Sequence, residues 1–325
     1  MDKNDPILGF FHRWLEEFAK HVEQVKVICL EKGEYNLPGI KVLSLGKEEG
    51  QSRLKYIWRF YKYLWQERKN YDTVFVHMNQ EYVLLAGLWW RLASKKIWLW
   101  RNHAKGSWFT IIAVYLSQRV FCTSSQSFTA RFAKTEMMPV GIDTDFFKSD
   151  SNIERVPNSI LFLGRISPVK KFKEFIEALR ALQQKNTNFT VTVAGSALPR
   201  DSEYNELVRR QVKEFDLDNV IKFVGAVNQA EALRLYQTHK LYVNLTPTGS
   251  MDKTIFEAMA CGATPLVYNE GLRESLNNDC LVDDLLPETV AGGIERAMAQ
   301  EKNFRDYVVS NHSLKSLAAK MFTNV

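Results

Sequence analysis

Hydrophobic and polar positions alternate with a clear rhythm in the second half of the chain. Short apolar runs at 160–163, 189–194, 220–224, 241–245 and 264–267 predict strands. Between them, segments of helical period at 171–184, 202–215, 229–237 and 251–260 predict helices. This alternation predicts a parallel sheet with helices on both faces. The tail after Pro287 is mostly helical in pattern. In the first half, helical spacing over 10–22 places Phe11, Leu15, Phe18 and Ala19 on one side. Strands are predicted at 25–30, 40–45, 73–76, 96–99 and from Val120, and helices at 53–70 and 83–92. The polar stretch 148–159, with Pro157, reads as a linker. The 325 residues then fall into domains at 1–150 and 151–312, with a terminal helix at 313–325 expected to return to the first domain.

Two strand–loop–helix units carry the candidate chemistry. Residues 160–171 read Ile-Leu-Phe-Leu-Gly-Arg-Ile-Ser-Pro-Val-Lys-Lys, with Gly164 and Arg165 just past the strand and Lys170 where the helix opens. Residues 241–267 run from a strand through a Thr/Pro/Gly/Ser loop into a helix, then to Gly262 and a strand with Pro265 near its start. In an open parallel sheet, ligands bind at the carboxyl ends of the strands. Helix N-termini there offer free N–H groups to a phosphate. Arg165 and Lys170 at one turn, with Gly249, Ser250 and Lys253 at the other, compose a candidate diphosphate site.

The pattern Gly-Arg-x-x-x-x-Lys at 164–170, followed by Glu-Ala-Met-Ala-Cys-Gly-x-x-Pro at 257–265, resembles the nucleotide-sugar half of the retaining GT-B glycosyltransferases of family four. Phe223-Val-Gly and the segment Pro139-Val-Gly-Ile-Asp-Thr-Asp-Phe-Phe add to the likeness, which is close over 122–296 and looser before it. The resemblance implies an α/β GT-B fold, two Rossmann-like doubly wound domains facing a cleft. It implies a sugar transferred, with retention, from a nucleoside-diphosphate sugar to a glycan or lipid-linked acceptor. Arg165 and Lys170 would contact the diphosphate and Glu257 the ribose hydroxyls. His103, just past a strand, would face the donor sugar, with His77 a second candidate in a similar position. Glu274 is either a cleft residue or a plain surface glutamate. No metal or other cofactor is expected.

Two departures matter. The family's Glu-x7-Glu motif would put its first Glu at 249, where this chain has Gly249. Backbone N–H groups over 249–253 could take over its grip on the sugar, the sugar could differ, or turnover could be poor. The chain also has no apolar strand before Ile7, so the N-terminal domain is expected to lack its first strand, as from a reading frame begun late. Competing functions on the same fold are a nucleotide-sugar epimerase, a phosphorylase, or a degenerate nucleotide-sugar binder.

Charge separates the halves. Residues 1–150 hold 22 Lys+Arg and 16 Asp+Glu, a net of +6; the rest holds 43 − 22 = 21 bases and 37 − 16 = 21 acids. An anionic acceptor or surface on the N-terminal side, or simple solvation of helices, would account for this. The helix at 53–70 interleaves Trp58, Tyr61 and Trp65 with Arg59, Lys62 and Lys69. It fits either a helix lying on anionic lipid or a crossover helix packed on the sheet. No nucleic-acid motif accompanies it. Cys29, Cys122, Cys261 and Cys280 form no C-x-x-C pair and read as buried thiols of a reducing compartment. Asp143-x-Asp145 imitates a metal motif of another glycosyltransferase fold, but no second carboxylate cluster supports it. With no leader-like N-terminus and no apolar run approaching about 18 residues, a cytoplasmic protein is expected, touching a membrane peripherally from that side.

Overall fold

The computed structural model describes all residues except 6, 248–250, 274, 301 and 324–325. It divides into two compact units, Met1–Gly141 with Leu314–Val325, and Ile142–Ser313.

The first unit contains α1 (Phe10–Phe18), β1 (Lys26–Cys29), β2 (Lys41–Ser44), α2 (Arg53–Glu67), β3 (Thr73–His77), α3 (Glu81–Leu92), β4 (Lys96–Trp100), α4 (Trp108–Leu116), β5 (Arg119–Cys122) and β6 (Thr135–Met137). All its strand pairs are parallel. They form two sheets, β1–β2 and β3–β4–β5–β6, and no strand joins the two among the described residues. One face of the larger sheet is covered by α2, α3 and α4, whose Phe60, Leu64, Val83, Trp90 and Val114 bury Ile97, Leu99 and Val120. The other face carries Trp98, Trp100 and Phe121 against Trp14 and Phe18 of α1.

The second unit contains β7 (Val156–Leu163), α5 (Phe172–Gln184), β8 (Thr190–Ala194), α6 (Ser202–Glu214), β9 (Ile221–Gly225), α7 (Gln229–Thr238), β10 (His239–Asn244), α8 (Lys253–Ala260), β11 (Thr264–Val267), α9 (Pro287–Met298) and α10 (Arg305–His312). Its parallel sheet has the order β11-β10-β7-β8-β9. The central strands β7 and β10 carry continuous apolar runs, 160–163 and 241–243, because helices cover both faces. Ile160, Phe162, Leu241 and Val243 point to α5, α6 and α9. Tyr242, one residue out of phase, meets Tyr236 of α7 at a ring separation of 5.8 Å.

The chain then returns to the first unit as α11 (Leu314–Phe322), whose Leu314, Leu317, Ala318 and Met321 complete the Trp14 and Phe18 cluster. Arg119 holds this end in place. It grips Glu136 with two bonds of 2.7 Å and donates to the Met321 carbonyl at 2.7 Å, one of the acceptors a helix end leaves unpaired.

The structure corrects several boundaries. The helix expected at 10–22 stops at Phe18, the one at 53–70 stops at Glu67, and the one at 251–260 begins at Lys253. α4 was not anticipated, because Trp-Phe-Thr-Ile-Ile-Ala-Val-Tyr-Leu is apolar without a helical period. The stretch 148–159, expected as a linker, lies wholly within the second unit, and β7 begins at Val156. Arg155 is drawn inward to donate to the carbonyls of Tyr236, His239 and Cys261, the ends of α7 and α8. Burial lowers its pKa, yet three carbonyls satisfy it.

Two features of the second unit make testable claims. Gly195 lies at φ +134°, and a Cβ there would sit 1.9 Å from the Gly164 carbonyl oxygen, backbone against backbone. Gly195→Ala is expected to destabilise by ~3 kcal/mol. Gly292→Ala, where a Cβ would meet only the flexible tip of Arg296 at 3.4 Å, should stabilise α9 by ~0.5–1 kcal/mol. Urea unfolding of the two variants reads the contrast. His312 packs on Phe256 at 4.5 Å, and burial pushes its pKa from 6.5 down to about 4. Between those values the unfolded chain binds a proton that the folded one refuses, so stability should fall as pH drops through this window. The loss, ~3 kcal/mol at most, should be flattened in His312→Gln.

Candidate functional site

The order of the second sheet reverses between β7 and β10, so the loops leaving these neighbours run apart beyond their carboxyl ends. Both sequence motifs lie at this point. Past β7, the Gly164 N–H donates to the Ala194 carbonyl at 2.9 Å, which ends pairing with β8 and turns the chain toward Arg165. A single tight turn follows, the Lys170 N–H donating to the Ser167 carbonyl at 3.0 Å. Lys171 then takes the left-handed conformation at φ +57°, a local strain that sets the entry to α5.

Past β10, Asn244 folds its side chain back so that its Oδ1 accepts from the Thr246 N–H at 3.0 Å. Asp252 precedes α8, which opens at Lys253. Tyr242 joins the two loops. Its hydroxyl lies 3.2 Å from the Leu163 carbonyl at the end of β7 and 2.7 Å from Thr254 Oγ1 on α8.

The structure brings Lys170 against the second motif. Its Nζ donates to Thr246 Oγ1 at 3.1 Å and pairs with the Asp252 carboxylate. The same Asp252 oxygen accepts from Asn244 Nδ2 at 3.1 Å and Thr246 Oγ1 at 3.0 Å. Burial raises the Asp252 pKa, but the charge of Lys170 and these hydrogen bonds outweigh it and hold the carboxyl below its ordinary value. Its contribution to stability is therefore complete above the ordinary carboxylate pKa and is lost as pH falls through the lower folded value. Arg165, half-buried, takes part in no hydrogen bond or ion pair among the described residues. It is the uncommitted cation of the pair.

Glu257 is buried on α8 and its Oε2 accepts from the Tyr236 hydroxyl at 3.1 Å. Burial lowers the pKa of Lys253, one turn earlier, and the Glu257 charge opposes that shift. Lys170, Asp252, Lys253 and Glu257 thus gather at the N-terminus of α8, and Arg165 stands on the loop past β7 that carries Lys170. Such a set can hold an anion on N–H donors and cations while a carboxylate accepts from hydroxyl groups.

The remaining candidates stand elsewhere. Gly249, Ser250 and Glu274 lie outside the described residues. His103 is in the first unit, exposed past β4, its Nδ1 3.0 Å from the Lys105 N–H. His77 ends β3 among rings, 4.9 Å from Phe11 and 6.2 Å from Trp100. Asp143 Oδ1 accepts from the N–H groups of Asp145 and Phe146 at 3.1 and 3.2 Å, a local turn. No group of three or more His, Cys, Asp or Glu side chains able to hold a metal occurs among the described residues.

The sequence places Asp252 only within the 249–253 turn and gives no role to Tyr236, Tyr242, Asn244 or Thr246. For Asn244 a signal existed, a polar residue closing an apolar strand. The tyrosines had none, since they sit on ordinary core faces.

No curated protein matches this chain. Among solved structures, HepE of Anabaena in complex with UDP and glucose has a TM-score of 0.78 at 17% identity, covering 99% of this chain and 96% of that one. Sucrose-phosphate synthase of Thermosynechococcus elongatus has a TM-score of 0.76 at 16% identity, covering 99% and 96%. The lipopolysaccharide outer core galactosyltransferase WaaB, in its apo form, has a TM-score of 0.66 at 14% identity, covering 97% and 95%. These likenesses carry the α/β fold of GT-B glycosyltransferases. The profile of "Glycosyl transferase 4-like" proteins matches residues 8–107. That of "Glycosyl transferases group 1" matches residues 143–313, more than half of the chain and all of the site just described, and the chain belongs to that family of glycosyltransferases.

Proposed function

We propose that this glycosyltransferase moves a sugar from a nucleoside-diphosphate sugar to a glycan or lipid-linked acceptor, with retention at the anomeric carbon, in cell-envelope polysaccharide synthesis. The work takes place on the cytoplasmic side of a membrane that the protein touches peripherally. The observation that carries the donor reading is the meeting of Lys170 with Asp252 at the N-terminus of α8, at the strand-order reversal, with Arg165 on the same loop past β7. HepE was solved with UDP-glucose, so uridine diphosphate is the first nucleotide to test.

In this reading Arg165, Lys170 and Lys253 receive the diphosphate and neutralise the charge that grows on it as the glycosidic bond breaks. Fixed cations supply that stabilisation, and no metal is assigned a part. Glu257, aimed by Tyr236, accepts from the ribose hydroxyls. His103 is assigned to the donor sugar. Asp252 is a positioning residue for Lys170, and the main chain beside Gly249 replaces the side chain the family has there. A binder without turnover is the second reading, motivated by Gly249 and by the Lys170–Asp252 pair.

Calorimetry with UDP, in EDTA and in magnesium, tests the site. Arg165→Ala and Glu257→Gln should each weaken UDP by roughly 10- to 100-fold, the loss of one or two charge-assisted hydrogen bonds. The glutamine keeps an acceptor for Tyr236 and so protects the fold. A folded protein that binds no nucleoside diphosphate, or variants that bind like wild type, would sink the donor assignment. Hydrolysis or transfer of UDP-glucose separates an enzyme from a binder.

Asp252→Asn gives a second outcome. It removes a carboxylate that competes for Lys170, so UDP should bind roughly 10-fold tighter while UMP changes little. An equal effect on both nucleotides would show that Asp252 does not act through the second phosphate. Because bound phosphate favours the Lys253 ammonium, UDP binding at mildly alkaline pH should take up a proton, seen as buffer-dependent heat that is absent in Lys253→Met.

A further inference from the structure

The outer surface of the first unit's helical layer is apolar across three adjacent helices. On α2, Trp58 and Trp65 are 59% and 62% exposed, and Leu54, Tyr61 and Ile57 extend the same stripe at helical spacing. On α3, Leu88 and Leu92 are 66% and 80% exposed; on α4, Trp108 and Tyr115 are both 71% exposed. The inner faces of the same helices already fill the core with Phe60, Leu64, Trp90 and Val114, so these outer residues are surplus to folding.

The helices lie side by side. The Tyr61 hydroxyl donates to the Leu85 carbonyl at 2.7 Å, joining α2 to α3. α3 packs on α4 at Gly87, where a Cβ would stand 2.9 Å from Leu116. Single exposed apolar residues are ordinary, but a continuous apolar face marks a docking surface.

Charge and ring chemistry name the occupant. The three helices carry Arg53, Lys55, Lys62 and Arg91, and Arg59 that is tied to Glu49, against Glu67 and Glu81. Glu67 is turned inward, where it pairs with Lys26 and Lys41. A second copy of the chain set face to face would bring these bases together. Cations also lie over the rings: Lys62 is 5.1 Å from Trp58, Arg68 4.1 Å from Trp65, and Lys134 5.7 Å from Tyr115. Tryptophan and tyrosine with basic heads over them match the headgroup layer of a bilayer, where the ring is half-buried and the cation meets phosphate. The three helices have 15, 12 and 9 residues, and no helix among the described residues is long and apolar enough to cross a membrane. The layer is suited to lying on a bilayer.

We infer that the α2–α3–α4 face is the surface by which this protein docks on an anionic lipid bilayer. This deepens the peripheral membrane contact of the proposed function and does not use the donor site, so either can fail without the other.

The test is flotation of the full chain with vesicles of phosphatidylcholine alone and of phosphatidylcholine mixed with phosphatidylglycerol, at low and high salt. Wild type should bind the mixed vesicles at least about 10-fold more tightly than the neutral ones, and high salt should release it. Trp65→Ser with Leu88→Ser, and separately Lys62→Gln with Arg68→Gln, should each cut binding to mixed vesicles by about 10-fold or more. Unchanged UDP binding or thermal unfolding shows that the variants remain folded. The inference is overturned if wild type ignores the mixed vesicles, binds both kinds equally, or keeps its binding in the face variants. It is also overturned if light scattering shows a dimer that Trp65→Ser dissolves, because the face would then belong to a second copy.

Discussion

A phenol buried as fully as Tyr242 needs partners, and the ones it finds locate the site. Its hydroxyl contacts the Leu163 carbonyl, Thr254 Oγ1 and Asn244 Nδ2. Those atoms belong to the end of β7, the first turn of α8 and the end of β10. Burial raises the Tyr242 pKa well above its ordinary range, so the group stays a neutral donor and acceptor. β7 and β10 are neighbours only because the sheet order reverses between them. The reversal parts the loops, and Tyr242 keeps their first residues in register. Lys170 can meet Asp252 across 82 residues of sequence because this frame is rigid.

The pair has a consequence for an anionic ligand. Three cations, Arg165, Lys170 and Lys253, stand near two carboxylates, Asp252 and Glu257, leaving a local surplus of one positive charge by this count. A site meant only to hold a diphosphate tightly would have no reason for the Asp252 carboxylate beside its lysine. Separating the pair leaves two buried charges to be satisfied anew, a cost that phosphate oxygens can offset for Lys170 and the Asn244 and Thr246 donors for Asp252. The arrangement therefore suits exchange of one anion for another better than permanent capture. A transferase that must release its nucleoside diphosphate after each transfer has use for such balance.

How much of this could be read from the chain alone depended on periodicity. The second sheet was legible because strands such as Ile160-Leu-Phe-Leu and helices such as Phe172–Gln184 contrast sharply in period, and the strands are buried on both faces. α4 was hidden, since its nine residues are nearly all apolar and periodicity cannot distinguish a helix from a strand in such a run. Arg155 looked like linker because its role depends on three carbonyls contributed by two helices more than 80 residues away. Arg165, Lys170 and Glu257 were visible through their motifs. The contact between Lys170 and Asp252 was not, because pairing across a sheet reversal leaves no local trace. α2 was open to two readings, and the structure assigns it both kinds of residue: Phe60 and Leu64 pack on the sheet, while Trp58 and Trp65 face outward.

That double character explains the uneven charge of the chain. Residues 51–100 alone contain nine Lys or Arg and three Asp or Glu, and much of this segment is α2, α3 and their ends. Solvation of an ordinary crossover helix would be served equally by acids, which also pair with lysines at one-turn spacing. On α2 the lone acid, Glu67, instead points to β1 and β2 and pairs with their lysines. Among the bases left outside, Lys62 lies over Trp58 and Arg68 over Trp65, while Arg59 pairs with Glu49. A purely structural helix would bury Trp58 and Trp65 or replace them with polar residues, since exposed indoles add nothing to the core and favour aggregation. Their retention beside cations, in the unit that does not contain the Arg165 and Lys170 site, separates two physical tasks. In the proposed reading, the neutral half would hold a soluble anion at a strand end, while the basic half would offer an extended surface to a polyanion too large to enter any pocket.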